Sequence, residues 1–255
     1  MSAEIDRNFL QNFLEDMPYG IPNYLVDYAV RSTHVPVGIL RSIYYSQNAF
    51  FKESFIDEMA HAGGQDPYRL RRRLLRGKPK HLAVLDAAAI RARWESPPPP
   101  GVFRGIALNE ACESICAQVV EASVSDAGAV RVHRVISAID CGHVVNPLTV
   151  ELQTQSAIVF GLTAALYGEI TIADGHVQQS NFHDYEMLRM ADMPRVETVM
   201  VPSGDSSGEA WGGIGEPPVA PLAPALCNAI FAATGRRIRS LPLKNHDLRA
   251  PTTTP

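Results

Sequence analysis

Cysteine is scarce, with only Cys112, Cys116, Cys141 and Cys227 in 255 residues. Their spacing resembles no disulfide framework, and a chain of this length does not need one. Cys112 and Cys116 form C-x3-C, but no second Cys/His pair follows at zinc-like spacing, and iron–sulfur clusters need four thiolates in tighter groups. No metal held by protein side chains is therefore expected. His133, His143, His183 and His246 fall on different expected elements and do not alter that reading.

A dominant charge is also missing. Lys plus Arg number 23 and Asp plus Glu 27, a net charge of −4, which gives no reason to expect nucleic acid or an anionic membrane as partner. The basic run Arg69-Leu-Arg-Arg-Arg73 reads as the wet face of a helix. No uninterrupted apolar run approaches the roughly 18–20 residues of a membrane span. Met1–Arg7 has no apolar signal core, so the expectation is a cytoplasmic chain, periplasmic only if carried by an exported partner.

What is present suffices for a folded protein. Hydrophobic residues make up 46% of the chain, and a chain this long buries roughly 70–75% of its unfolded surface. Residues 1–45 read as irregular and strand-like, with β-rich composition over Tyr24–Val30. A helix follows from an N-cap at Ser46, with Phe50, Phe51, Phe55, Ile56 and Met59 at helical spacing and a stop at Gly63-Gly64. Asp66-Pro67 starts a second helix, and Lys80–Trp94 reads as a third. The run Ser96-Pro-Pro-Pro-Pro-Gly101 cannot continue a helix and marks a stiff connector.

Beyond it the texture turns to strands: 102–108, 115–125 and 129–140, with a turn at Asp126–Gly128. A helix over 147–166 and a hairpin over 169–178 turning at Asp174-Gly175 complete this part. The class is α+β in two lobes. A mixed strand/helix lobe spans 1–95, the linker 96–101, a second α+β lobe 102–249, and a disordered tail 250–255.

The most informative stretch is Ser207–Arg236. Gly212, Gly213 and Gly215 allow positive φ and close backbone approach. Glu216 follows at once, and Pro217, Pro218 and Pro221 pre-set a helix start. Residues 222–233 are apolar or small nearly all round except Asn228, so the helix is expected to be buried, with Gly235 as its stop. A carboxylate on a glycine turn leading into a buried helix is placed where water is scarce, as a general base requires.

This stretch resembles the C-terminal end of the xanthine dehydrogenase/aldehyde oxidase family of molybdenum hydroxylases, closest to the large (beta) subunits of the isoquinoline 1-oxidoreductase branch. The resemblance extends through Ala138-Ile-Asp-Cys-Gly-His-Val-Val-Asn-Pro147, Ile158–Thr171, Gln179–Tyr185 and Ala229–Pro242. Upstream it includes Val35-Pro-Val-Gly38 and Arg41-Ser-Ile-Tyr-Tyr-Ser-Gln-Asn48. It implies the fold of the family's molybdopterin-binding domain, and Glu216 as catalytic base. It also implies that Arg41, Gln47, Gly213 and Gly215 lie against molybdopterin, in its cytosine dinucleotide form. The implied reaction hydroxylates an N-heteroaromatic or aldehyde carbon with water as oxygen source, and electrons leave for iron–sulfur clusters on a 2Fe–2S small subunit.

The sequence departs from the family in several places, among them Val219-Ala220 where the isoquinoline branch is richer in glycine. It contains no Gly-Gln-Gly, the loop that family members set against the metal's oxo ligand, and Gln155-Ser156 replaces the usual Glu-Gly. Two expectations follow. The chain works with a companion, such as the N-terminal half of a split large subunit. Alternatively, it is a non-catalytic fragment acting as a scaffold or pterin-binding module.

Overall fold

The computed structural model describes residues 17–29, 31, 35–36, 38–203 and 211–250. Residues 251–255 of the expected tail, and Ser207–Ala210 of the glycine-rich stretch, lie outside them.

Residues 24–29 form no strand, despite their β-rich composition. With Pro22 and Pro36 nearby, the segment is irregular and lines a cavity against the first helix. That helix, α1 (Tyr45–Ala62), starts one residue before the expected cap, and no side chain caps it. Gln47 therefore sits in its first turn and not in a loop. The apolar spacing misleads here as well. Phe51, Phe55 and Met59 are exposed at 53%, 61% and 37%, while Lys52, Glu53 and Asp57 are buried with Ile56 and Ala60.

The reason lies in the second helix, α2 (Pro67–Leu74), capped by Asp66 accepting from Arg69 N. Its Arg71 is fully buried, correcting the reading of 69–73 as a wholly wet face. Arg71 Nε donates to Glu53 Oε2 at 2.9 Å and Nη2 to the Glu53 carbonyl at 2.9 Å. Tyr19 OH, at 2.8 Å, and Leu108 N, at 3.0 Å, complete the Glu53 carboxylate. A buried carboxylate is tolerated when its lone pairs are filled in this way. Burial disfavours the Arg71 charge, but the facing carboxylates of Glu53 and Asp57 hold its pKa above the ordinary value. A third helix, α3 (Pro79–Arg91), follows.

After the proline run come β1 (Phe103–Ala111), β2 (Ser114–Val124) and β3 (Val130–Asp140), an antiparallel meander close to the expected spans. The helix α4 (Pro147–Leu166) starts at its Asn146 cap, whose side chain accepts from Leu148 N. The hairpin is shorter than expected, only β4 (Ile172–Ala173) and β5 (His176–Val177), turning on positive φ at Asp174 and Gly175. A strand the sequence reading missed, β6 (Arg195–Met200), lies parallel to β3 and completes the sheet order β1-β2-β3-β6. Last is α5 (Leu222–Thr234), ended by left-handed Gly235 as expected.

Side-chain alternation sends the sheet's two faces to two helical layers. Ile106, Leu108, Val119 and Ile136 pack with α1, α2 and α3, while Ala107, Val120 and Val135 pack with α4 and α5. Gly105 lets α5 lie directly on β1, since a Cβ there would stand 2.0 Å from the Ala225 carbonyl oxygen. The segment Pro217–Thr234 is long and apolar enough to cross a bilayer, but it is 72% buried in this layer and is a core helix.

Candidate active site

The site begins at a tight turn. β1 and β2 are joined by only Cys112 and Glu113, with φ of 49° and 62°. Two-residue hairpins of this hand favour Asn-Gly because both positions need positive φ. Cys-Glu is a costly choice for the local backbone, and strain of this kind tends to gather at functional positions.

The glycine segment lies on this turn. Gly212 N donates to the Cys141 carbonyl at 3.1 Å, and Gly213 N to the Cys112 carbonyl at 2.8 Å. Ser114 Oγ donates to the Gly213 carbonyl at 2.6 Å. A Cβ at Gly212 would stand 2.2 Å from Ser114 Oγ. Gly212, Gly213 and Gly215 all lack the positive φ expected of them. Gly212 and Gly213 serve close approach, and both backbone polar groups of Gly213 are used within the protein. At Gly215 a Cβ would meet nothing within 4 Å, so the chain there borders open space. Trp211 stacks on His143 at 4.7 Å between ring centroids.

Glu216 is half-buried at the end of this segment. Pro217–Val219 forms a single turn of 3-10 helix before α5, and Gln118 Nε2 holds it by donating to the Pro218 carbonyl at 2.7 Å. One carboxylate oxygen, Oε1, accepts from the amide of Ser42 at 3.3 Å. The other, Oε2, receives the Cys112 thiol at 3.6 Å. Burial first, then the charge and hydrogen bond of Glu216, push the Cys112 pKa up to about 11, so it remains a thiol at neutral pH.

Arg41 reaches this turn from far along the chain. Arg41 Nε donates to the Gly215 carbonyl at 2.7 Å, Nη1 to Ser156 Oγ at 3.0 Å and Nη2 to Gln153 Oε1 at 3.2 Å. All three acceptors are neutral, so no carboxylate bonds directly to the guanidinium. Burial lowers its pKa and the nearby Glu216 charge opposes that shift. The following Ser42 and Ile43 have φ of 73° and 41°, and Ser42 is fully buried with its Oγ unpartnered. Gln47 is exposed in the first turn of α1 and makes no hydrogen bond to Arg41 or Glu216.

Sequence reasoning thus missed Ser42, Cys112, Gln153 and Ser156. The position marked as a departure, Ser156, is one that holds Arg41. The facing strand ends at Cys112 were the available signal. Among the described residues no group of three or more His, Cys, Asp or Glu side chains is placed to hold a metal ion. A cavity of 860 Å³ lies elsewhere, between residues 17–28 and the exposed apolar side of α1.

Residues 104–194 match the family model described as molybdopterin cofactor-binding domain, a span that includes neither Arg41 nor Glu216. The chain is 31% identical over 230 residues to the isoquinoline 1-oxidoreductase subunit beta of Brevundimonas diminuta, covering 89% of this chain and 29% of the relative. It is 37% identical over 118 residues to the xanthine dehydrogenase molybdenum-binding subunit of Escherichia coli O157:H7, covering 45% and 16%. The solved aldehyde oxidoreductase of Desulfovibrio desulfuricans shares the fold, with a TM-score of 0.65 at 14% identity over 80% of this chain and 40% of that one.

The chain belongs to the family of molybdopterin-binding subunits of xanthine dehydrogenase and aldehyde oxidoreductase type, and it spans less than a third of the length of these curated relatives.

Proposed function

We propose that this chain supplies the catalytic-carboxylate side of a molybdopterin-dependent hydroxylase, with Glu216 as general base. The observation that carries the reading is the junction of Arg41, Ser42, Gly215 and Glu216, drawn from segments 174 residues apart in sequence. The residues fit an anionic cofactor on three counts. Arg41 brings a cation answered only by neutral acceptors, Ser42 Oγ is buried without a partner, and Gly215 borders open space.

In this reading Arg41 and Gly215 border the cofactor, Gly213 shapes that edge through the hairpin, and Gln47 faces it from α1. The redox chemistry is the contribution of bound molybdopterin, in its cytosine dinucleotide form, with electrons leaving for iron–sulfur clusters on a 2Fe–2S partner subunit. Glu216 removes the proton from the water-derived oxygen that is added to an N-heteroaromatic or aldehyde carbon. The rest of a large subunit, in the same or another chain, closes the site. The exposed Phe51, Phe55 and Met59 support such a cover.

The test is Glu216→Gln in the assembled complex. The side chains are nearly isosteric, but the amide cannot take the proton. Turnover should fall by about 10²–10⁴-fold at unchanged molybdenum content. A variant that keeps its cofactor and turns over within about threefold of wild type, well under 1 kcal/mol of barrier, removes Glu216 from the reaction.

The competing reading is a non-catalytic scaffold or pterin-binding module. Assembled complex that carries no molybdenum would support it.

A further inference from the structure

We infer that Cys112 is a positioning residue for Glu216: its thiol and the Ser42 amide grip opposite oxygens of the carboxylate and fix its direction. This rests on the reading of Glu216 as base, but the contact itself does not.

The geometry comes from three separate segments. Ser42 N reaches Oε1 at 3.3 Å and Cys112 Sγ reaches Oε2 at 3.6 Å. Both donors are placed by backbone at positive φ, Ser42 at 73° and Cys112 at 49°. Cys112 is further fixed by its turn, whose carbonyl takes the Gly213 amide, and a Cβ at Gly213 would stand 3.1 Å from Cys112 Cβ. An asparagine or glycine would suit that backbone better. The strained position is filled by a side chain that reaches the carboxylate.

The kind of donor matters. A thiol is a weak donor, so it can direct a carboxylate while stabilising the anion little. A hydroxyl at the same place would favour the charged form more and weaken the base. Because Cys112 stays protonated at neutral pH, the donor is present under working conditions.

The first test uses the chain alone. Peptide-resolved alkylation across pH should show Cys112 reacting slowly until well above neutral pH. In Glu216→Gln its rate at pH 8.5 should rise by about threefold or more, because a carboxylate that opposes the thiolate is gone. Cys116 and Cys227 are buried and serve as internal controls. Identical profiles in the two proteins would overturn the contact.

The second test uses the assembled enzyme. Cys112→Ser should move the acid limb of the pH–rate profile to lower pH, and Cys112→Ala should lower kcat with KM little changed. Wild-type kcat and pH profile in both variants would overturn the positioning role. Failure of the base assignment is separate, since it appears as retained turnover in Glu216→Gln.

Discussion

Arg41 and Arg71 are the same residue in opposite circumstances. Arg71 is enclosed by carboxylates and carbonyls, so its charge is consumed by the fold. Arg41 is held by three neutral oxygens, so its orientation is fixed without a direct bond to a carboxylate, although the Glu216 charge lies nearby. The consequence for Arg71 is large. Arg71→Ala leaves Glu53 a buried anion without its cation, and removing one partner of such a pair typically costs about 3–5 kcal/mol. Arg71→Met, which restores most of the volume, should be nearly as damaging if charge is the issue. Urea denaturation of the two variants checks this, and full recovery in the methionine variant would point to packing.

At the scale of elements, legibility followed the kind of signal. The strands of the meander, α4 with its Asn146 cap and α5 with its Gly235 stop were readable because capping and alternation are local. The buried side of α1 was not, because it is set by Arg71 and Arg237, which the chain brings from other elements. β6 escaped notice because a short edge strand with charges on it reads as a loop. At the site, Glu216 and Arg41 were legible through resemblance. Cys112 and Ser42 were not, because their importance arises from backbone turns that place them beside Glu216. The inverted face of α1 gives a direct check. Phe55→Ser should change the stability of the isolated chain by less than about 0.5 kcal/mol, as for other surface positions. Its neighbour, in Ile56→Ala, should cost about 2–5 kcal/mol. Comparable losses at the two positions would mean that Phe55 is covered.

Across the whole molecule, one carboxylate ties the sheet's edge to the helical layer. Glu197 on β6 accepts from Arg134 on β3 at 2.8 Å and from Arg91 at the end of α3, and it pairs with Arg195. These bonds, Arg134 first, hold its pKa at about 2 against an ordinary 4.5. A depressed carboxylate stabilises the fold fully above its unfolded value and loses that contribution as pH falls from about 4.5 toward 2. Glu197→Gln should therefore lose on the order of 1–3 kcal/mol at neutral pH. Its urea midpoint should also be flatter with pH across that acid window. A variant that keeps the wild-type slope there would assign the acid sensitivity to other groups.

The seat of α5 on Gly105 also sets an order of events during folding. Asn228 bonds to the Ile106 carbonyl across 122 residues, and Arg41 to Gly215 across 174. Contacts this remote close slowly, after the local meander can already have formed, because the entropy of closing the intervening loop must be met first. Glu216 lies just before α5, whose contact with β1 closes one of these long loops. A chain caught partway, with strands paired and α5 undocked, has its sheet but no carboxylate in place. The junction of Arg41, Gly215 and Glu216 is therefore expected to close late in folding, after the meander.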